Sequence, residues 1–340
     1  MKSIAYFAVL FAFAGTAAPQ MPSGFKVQTR YPVTGSEGWD YITVDSVARL
    51  IYVSHAVRVN VLNADTGAVV GTIEDTPGVH GIAIASSSKH GFTSNGKENK
   101  VSMFDTTDLS LIKKIEVGEG PDGIYYDAGT DRVFTNNHGS HNISAIDATK
   151  GDVVSTVEIG GNGEGAGIGK DGLIYVALED KNEVCVFDPK TLEVKRHIPL
   201  DGITAPTGLA IDAKNNRIFV GGHNKVAQVI DGTTGKMIAS FPTGLGTDAA
   251  AWDAKDGLAF ISNGEGDISV IQEKSADEFV ALDEVQTQQS AKTMAFDSKT
   301  GRIFLPAATV VMTPAADLSQ KPKRRITEGT FAVLVVGKSQ

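Results

Sequence analysis

Only one cysteine, Cys185, occurs among the 340 residues, so no intrachain disulfide can form and packing must hold the fold. It lies in Val184-Cys185-Val186-Phe187, where a buried, inert thiol is expected. An excess of positive charge is also missing. The 31 Lys and Arg stand against 40 Asp and Glu, a formal net charge of −9, which argues against a general nucleic-acid binder. A basic run, Lys321 to Arg325, reads as a solvated loop. Two catalytic signatures are absent: there is no His-Glu-X-X-His metal pair and no Gly-X-Ser-X-Gly nucleophile elbow.

Long hydrophobic runs are lacking as well. The apolar stretch Ile4 to Ala14 is too short to span a bilayer. It follows Lys2 and precedes Gly15, Thr16, Ala17 and Ala18, so residues 1–18 read as a secretory signal to be excluded from the fold. No lipobox cysteine is present, which argues against a lipoprotein. The expectation is a monomer without a transmembrane segment in its mature form, periplasmic or secreted after cleavage, with residues 19–340 forming a single domain.

What is present is a repeat. Between Pro121 and Gly160, four short runs alternate apolar and polar residues, the pattern of half-buried strands. Turn residues separate them: Ala128-Gly129-Thr130-Asp131, His138-Gly139-Ser140 and Thr149-Lys150-Gly151. Related units open at Asp40, His80, Asp122, Glu164, Thr207, Asp248 and Lys292, with separations of 40, 42, 42, 43, 41 and 44 residues. The second run of each unit carries an aromatic residue at one place: Tyr52, Phe92, Phe134, Tyr175, Phe219, Phe260 and Phe304. A large ring at a fixed strand position fills the space between stacked sheets. The third run often ends in an Asp- and Gly-bearing turn, as at Asp65-Thr66-Gly67, Asp147 to Gly151 and Asp231 to Gly235.

A period near 40 residues with about four strands per unit is the mark of a propeller blade. The chain therefore reads as all-β: a seven-bladed β-propeller of four-stranded antiparallel blades. A long loop, 309–327, interrupts the last blade before Phe331 to Val336 resumes it. That blade is one strand short, and the run Phe25 to Val33 can supply it, closing the ring with strands from both termini.

The unit with Tyr52-Val53, Tyr175-Val176 and Asp-X-Thr-Gly turns resembles the YVTN-type β-propeller repeat family, whose members include secreted bacterial proteins of the YncE group. The ending Gly329 to Lys338 is similar to the tail of YncE-like proteins. The chain departs from the Tyr-Val-Thr-Asn pattern at Ser54-His55 and at Gly221-Gly222-His223. The resemblance implies the fold. It leaves function open, since related propellers include lactonases, metal-dependent lyases and binders of proteins or nucleic acid.

Blade geometry narrows the search for a site. The start of a first strand and the end of the second lie at the same edge of an antiparallel ladder, and the first strand lines the channel. The first-strand set is Asp40, His80, Asp122, Glu164, Thr207, Asp248 and Lys292. The second-strand set is His55, Asn95, Asn137, His138, Glu179, His223, Asn263 and Glu265. From these, the expected ligand-binding residues are Asp40, His55, Asp122, Asn137, His138, Asp248 and Lys292. His80, Glu164 and His223 are candidates for acid–base chemistry. His80, Asp122, Glu164 and Asp248 are candidates for a divalent metal such as Ca²⁺, Mg²⁺ or Zn²⁺. The alternative is a wet channel lined by ordinary polar strand ends.

Other features read as structural. Gly160 to Gly167 has the look of a phosphate loop but no helix pattern follows it. His138 and His141, three apart in a turn, make a poor metal pair. Trp39 and Trp252 read as packing residues, although Trp39 is next to Asp40. The residues thus point to a propeller that binds a small molecule, a protein or an envelope polymer at its channel mouth. The alternative is a metal-dependent lactonase-like hydrolase or lyase using the same mouth.

Overall fold

The computed structural model describes residues 20–313 and 323–339, so the signal-like stretch 1–18 lies outside the described residues. Within them the chain is all strand and turn, with no helix, and so none long and apolar enough to cross a membrane. Seven antiparallel sheets follow one another along the chain. The third blade shows the plan: Pro121–Asp127, Arg132–Asn137, Asn142–Asp147 and Val153–Glu158 pair in chain order. The two middle strands are buried along nearly their whole length, whereas the outermost is exposed at all but one position. The sixth blade carries an extra two-residue strand, Val285–Gln286, against Asp267–Ser275.

Stacking explains the recurring aromatic. All seven rings, from Tyr52 to Phe304, are fully buried. Each blade boundary has its own apolar cluster, and there are seven boundaries and seven clusters. Rings meet across these boundaries: Tyr52 lies 6.1 Å from Phe104, Phe134 5.5 Å from Phe187, and Phe219 5.1 Å from Trp252. Full burial of one such side chain is worth about 1.5–3 kcal/mol. Cys185 belongs to the cluster between blades three and four, and burial pushes its thiol up to about 12.

The ring closes as expected. Phe25–Pro32 pairs antiparallel with Ala332–Lys338, which pairs in turn with Arg302–Ala307. The first described strand is thereby the outermost strand of the last blade, which covers the edge of the C-terminal strand.

The Asp/Gly turns behave as turn chemistry requires. Asp147 Oδ1 accepts from the amides of Thr149 and Lys150 at 3.0 and 2.8 Å, and Gly151 follows at φ 66°. Asp231 does the same for Thr233 and Thr234. The first blade corrects the expected register. There Asn63, not Asp65, accepts from the turn amides, and Asp65 instead pairs with Arg49 at 2.7 Å. The stretch 309–327, expected as a loop, holds a two-stranded hairpin of Val310–Thr313 and Lys323–Ile326, with Lys321 outside the described residues. It leaves the last blade where other blades make a tight turn after the second strand, and so rises beside the channel mouth.

Candidate functional site

Inner strands approach one another closely around the channel, and glycine permits it. A Cβ on Gly165 would sit 2.5 Å from the Thr207 carbonyl oxygen of the next blade, and one on Gly123 would sit 3.1 Å from that of Glu164. The glycine-rich stretch before blade four is therefore inner-strand architecture, with Gly163–Ile168 forming the strand itself.

The carbonyls of four blade-opening residues are pinned by side chains of the preceding blade. Thr293 Oγ1 donates to the Asp40 carbonyl at 2.6 Å, Asn136 Nδ2 to that of Glu164 at 2.8 Å, Ser94 to that of Asp122, and Ser262 to that of Lys292. These four donors are fully buried. They fix where the charged side chains start, so the mouth is a rigid ring of anchors.

All seven blades contribute a side chain at this mouth. His80 Nδ1 lies 2.7 Å from Asp40 Oδ2 and 3.6 Å from Asp122 Oδ2. Lys292 Nζ reaches Asp40 Oδ1 at 3.3 Å and also pairs with Asp248. On the other side, His138 Nδ1 lies 3.7 Å from Asp122 Oδ2, and its Nε2 lies 3.3 Å from Glu164 Oε1 and 2.8 Å from the Gly163 carbonyl oxygen. Tyr41 donates its hydroxyl to Glu164 Oε2 at 2.8 Å. His223 from the fifth blade lines the same mouth beside Asp248. Glu164 is the deepest carboxylate of the set, 10% exposed, and His80 is more exposed than His138, 36% against 23%.

The electrostatics divide the cluster. Burial alone would raise the Asp40 carboxyl, but the His80 hydrogen bond and the Lys292 charge outweigh it and hold it low. Burial works against protonated His80 too, yet the bond to Asp40 and the charge of Asp122 raise its pKa. Asp122 is raised by burial, with Asp40 and Asp248 adding repulsion against the His80 and His138 contributions. Glu164 is raised well above the usual carboxylate range, first by burial and then by the Asp122 charge. Burial likewise raises Asp248, despite Lys292. The Tyr41 hydroxyl is held strongly protonated by burial and by the surrounding carboxylates.

Among the described residues, two triads bring one potential metal-binding atom from each side chain within 4.8 Å of one another: Asp40–His80–Asp122 and Asp122–His138–Glu164. Asp248, expected in the metal set, instead faces Lys292. Two expected ligand residues lie elsewhere. His55 is fully buried, 2.9 Å from Asn60 Oδ1, 3.2 Å from Glu37 and packed on Phe331. Asn137 spends its amide on Asn142 and Ser144 of its own hairpin, at 2.9 and 3.0 Å. Asn95 and Asn263 do the same in their blades. After Asn137 it is His138 that reaches the mouth, whereas Asn95 and Asn263 are followed by glycines. His141 lines a separate outer depression with His197 and Glu183. Both tryptophans pack, Trp39 on Phe331 and Trp252 on Phe219.

Sequence reasoning passed over Tyr41 and the four pinning donors. Tyr41 follows Asp40 directly, and Ser94, Asn136 and Ser262 share one position in the second strand, so periodicity carried the signal. A further feature was not legible at all. The hairpin residues Val310 and Met312 face Asp248, Lys292, His223 and Ser290 across a cavity of about 370 Å³.

No protein-family model matches this chain, and no curated protein matches it in sequence. Solved structures do match its shape. The structure of U3-55K is 9% identical with a TM-score of 0.75, covering 93% of this chain and 99% of that one. The RRP9 WD40 repeats are 8% identical at 0.75, covering 94% and 99%. A chain of the mitotic checkpoint complex is 12% identical at 0.70, covering 96% and 99%. At such identities the likeness is one of fold. The chain is a seven-bladed β-propeller.

Proposed function

We propose that this is a periplasmic or secreted propeller of the YVTN type that binds a small molecule at its channel mouth. The tandem units and the signal-like start support the family and the compartment. The cavity of about 370 Å³ carries the binding reading. It joins an apolar wall, Val310 and Met312, to a polar floor of Asp248, Lys292 and His223, as small-molecule sites do. Met312 is 56% exposed, an apolar surface that a ligand would cover. The ligand class is a compact molecule with a polar head and an apolar body.

A fragment library screened by ligand-observed NMR tests this. Hits should compete with one another and should weaken with Met312→Asp. Uniform loss of signal change across the library, or hits indifferent to that variant, would remove the cavity as a site and leave protein or polymer binding at the rim. Mass spectrometry of the mature N-terminus in a periplasmic or culture fraction checks the compartment.

One observation favours the enzymatic reading. Glu164, whose carboxyl burial raises well above the usual carboxylate range, stands beside His138, an arrangement suited to general acid catalysis. Turnover of lactone substrates, lost in Glu164→Gln, would establish it.

A further inference from the structure

We infer that Asp122, His138 and Glu164 form a divalent-metal site, while the neighbouring Asp40–His80 side of the cluster is neutralised by the protein's own cations. This deepens the reading of the mouth as a binding site, and rests on it.

His138 Nε2 lies 2.8 Å from the Gly163 carbonyl oxygen. A carbonyl only accepts, so Nε2 carries the hydrogen. In the neutral ring Nδ1 is then a lone pair, and it faces Asp122 Oδ2 at 3.7 Å. That tautomer sets two acceptors opposite each other, an arrangement that a cation between them would satisfy. Asp122 Oδ1 is buried and has no hydrogen-bond partner among the described residues. A buried carboxylate oxygen without a partner is costly unless a cation meets it. The third group, Glu164, is oriented by Tyr41 through Oε2; its Oε1 lies 3.3 Å from His138 Nε2, and one ligand atom from each of the three side chains falls within 4.8 Å of the others. A ligating imidazole whose other nitrogen donates to a backbone carbonyl is the arrangement that fixes tautomer and ring orientation at metal sites.

The second triad lacks these features. His80 Nδ1 is already committed to Asp40 at 2.7 Å. Lys292 places a cation against Asp40 and Asp248. An added ion there would displace existing ion pairs. At Asp122 and Glu164 no lysine or arginine pair is present among the described residues, and the basic groups within 4 Å are the imidazoles of His80 and His138. One imidazole nitrogen with two carboxylates suits a first-row divalent transition ion, Zn²⁺ or Mn²⁺, over Ca²⁺ or Mg²⁺, which favour oxygen-only sets.

The test is metal counting on chelator-stripped protein re-equilibrated with Zn²⁺ or with Mn²⁺, together with titration calorimetry. One stoichiometric ion is expected. His138→Ala and the isosteric Glu164→Gln should each weaken it by at least about 100-fold, and His80→Ala should leave it within a few-fold of wild type. The metal should raise the melting temperature of the wild type and of His80→Ala but not of folded Glu164→Gln. Absence of a stoichiometric ion in the wild type would mean that a proton bridges His138 and Asp122, and would overturn the inference. Binding that survives in folded Glu164→Gln, or that fails in folded His80→Ala, would overturn it too. The fragment screen on stripped protein is independent: hits without metal binding sink this inference alone.

Discussion

Tyr41 and Glu164 stand on blades one and four, 123 residues apart in sequence, and a 2.8 Å hydrogen bond joins them across the channel. The bond gives a deep carboxylate its orientation. Tyr41→Phe should cost about 1–3 kcal/mol, because it leaves Glu164 Oε2 buried without its donor. Urea unfolding of the folded variant measures it. A change within about 0.5 kcal/mol, the usual range for neutral surface substitutions, would mean that solvent replaces the hydroxyl.

Lys292 holds Asp40 and Asp248 together in a partly screened setting, with its side chain 35% exposed. Lys292→Met should destabilise by about 1–3 kcal/mol, less than the loss of a fully buried pair. Adding Asp248→Asn should restore part of that loss, since it removes one of two carboxylates left facing each other. A double-mutant cycle by chemical denaturation reads the coupling. Strict additivity would show that the lysine does not mediate between them.

Asp297 governs part of the acid limb of stability. Burial would raise its carboxyl, but the hydrogen bonds from Ser46, Thr300 and Arg49 outweigh burial and lower it. The Arg49 contact is 2.6 Å, and the carboxylate side chain is fully buried. A lowered folded value means that its stabilisation is complete above the unfolded carboxylate value of about 3.9 and is lost as pH falls through the folded one. Asp297→Asn should therefore be less stable at neutral pH and should lose less on acidification. Denaturation midpoints taken from about pH 6 to pH 2 test the slope. Parallel acid limbs in the two proteins would count against the assignment.

Closure by the first described strand should set cooperativity. Deleting residues 20–32 exposes the edge of Ala332–Lys338, whose side chains from Ala332 to Gly337 are buried. An open, apolar edge invites intermolecular pairing. The truncated chain should melt lower and associate, as size-exclusion chromatography with light scattering would show. A monodisperse truncated monomer with an unchanged melt would mean that the closure is dispensable.

Repetition made most of the fold legible. A ring at each second strand, a turn at each third, and a fixed spacing are local features, and each of the seven units states them afresh. The site was legible only in part. Asp40, His80, Asp122, His138, Glu164, Asp248 and Lys292 do meet at one mouth, because antiparallel pairing brings the start of each first strand and the end of each second strand to the same edge. His55 and Asn137 do not join them, since each finds a nearer partner, in Asn60 and Ser144 respectively. Their residue types are the same as those of a binding site, and only the local hydrogen bonds tell the two apart.

The period, the aromatic positions and the turn residues by themselves determined a seven-bladed ring closed by its two ends, since stacking is the one way for such units to bury their faces. Tertiary structure alone decided how the charges at the mouth divide. Lys292 compensates Asp40 and Asp248, while Asp122, His138 and Glu164 are left facing one another. That division depends on distances between residues on different blades, which spacing along the chain does not encode.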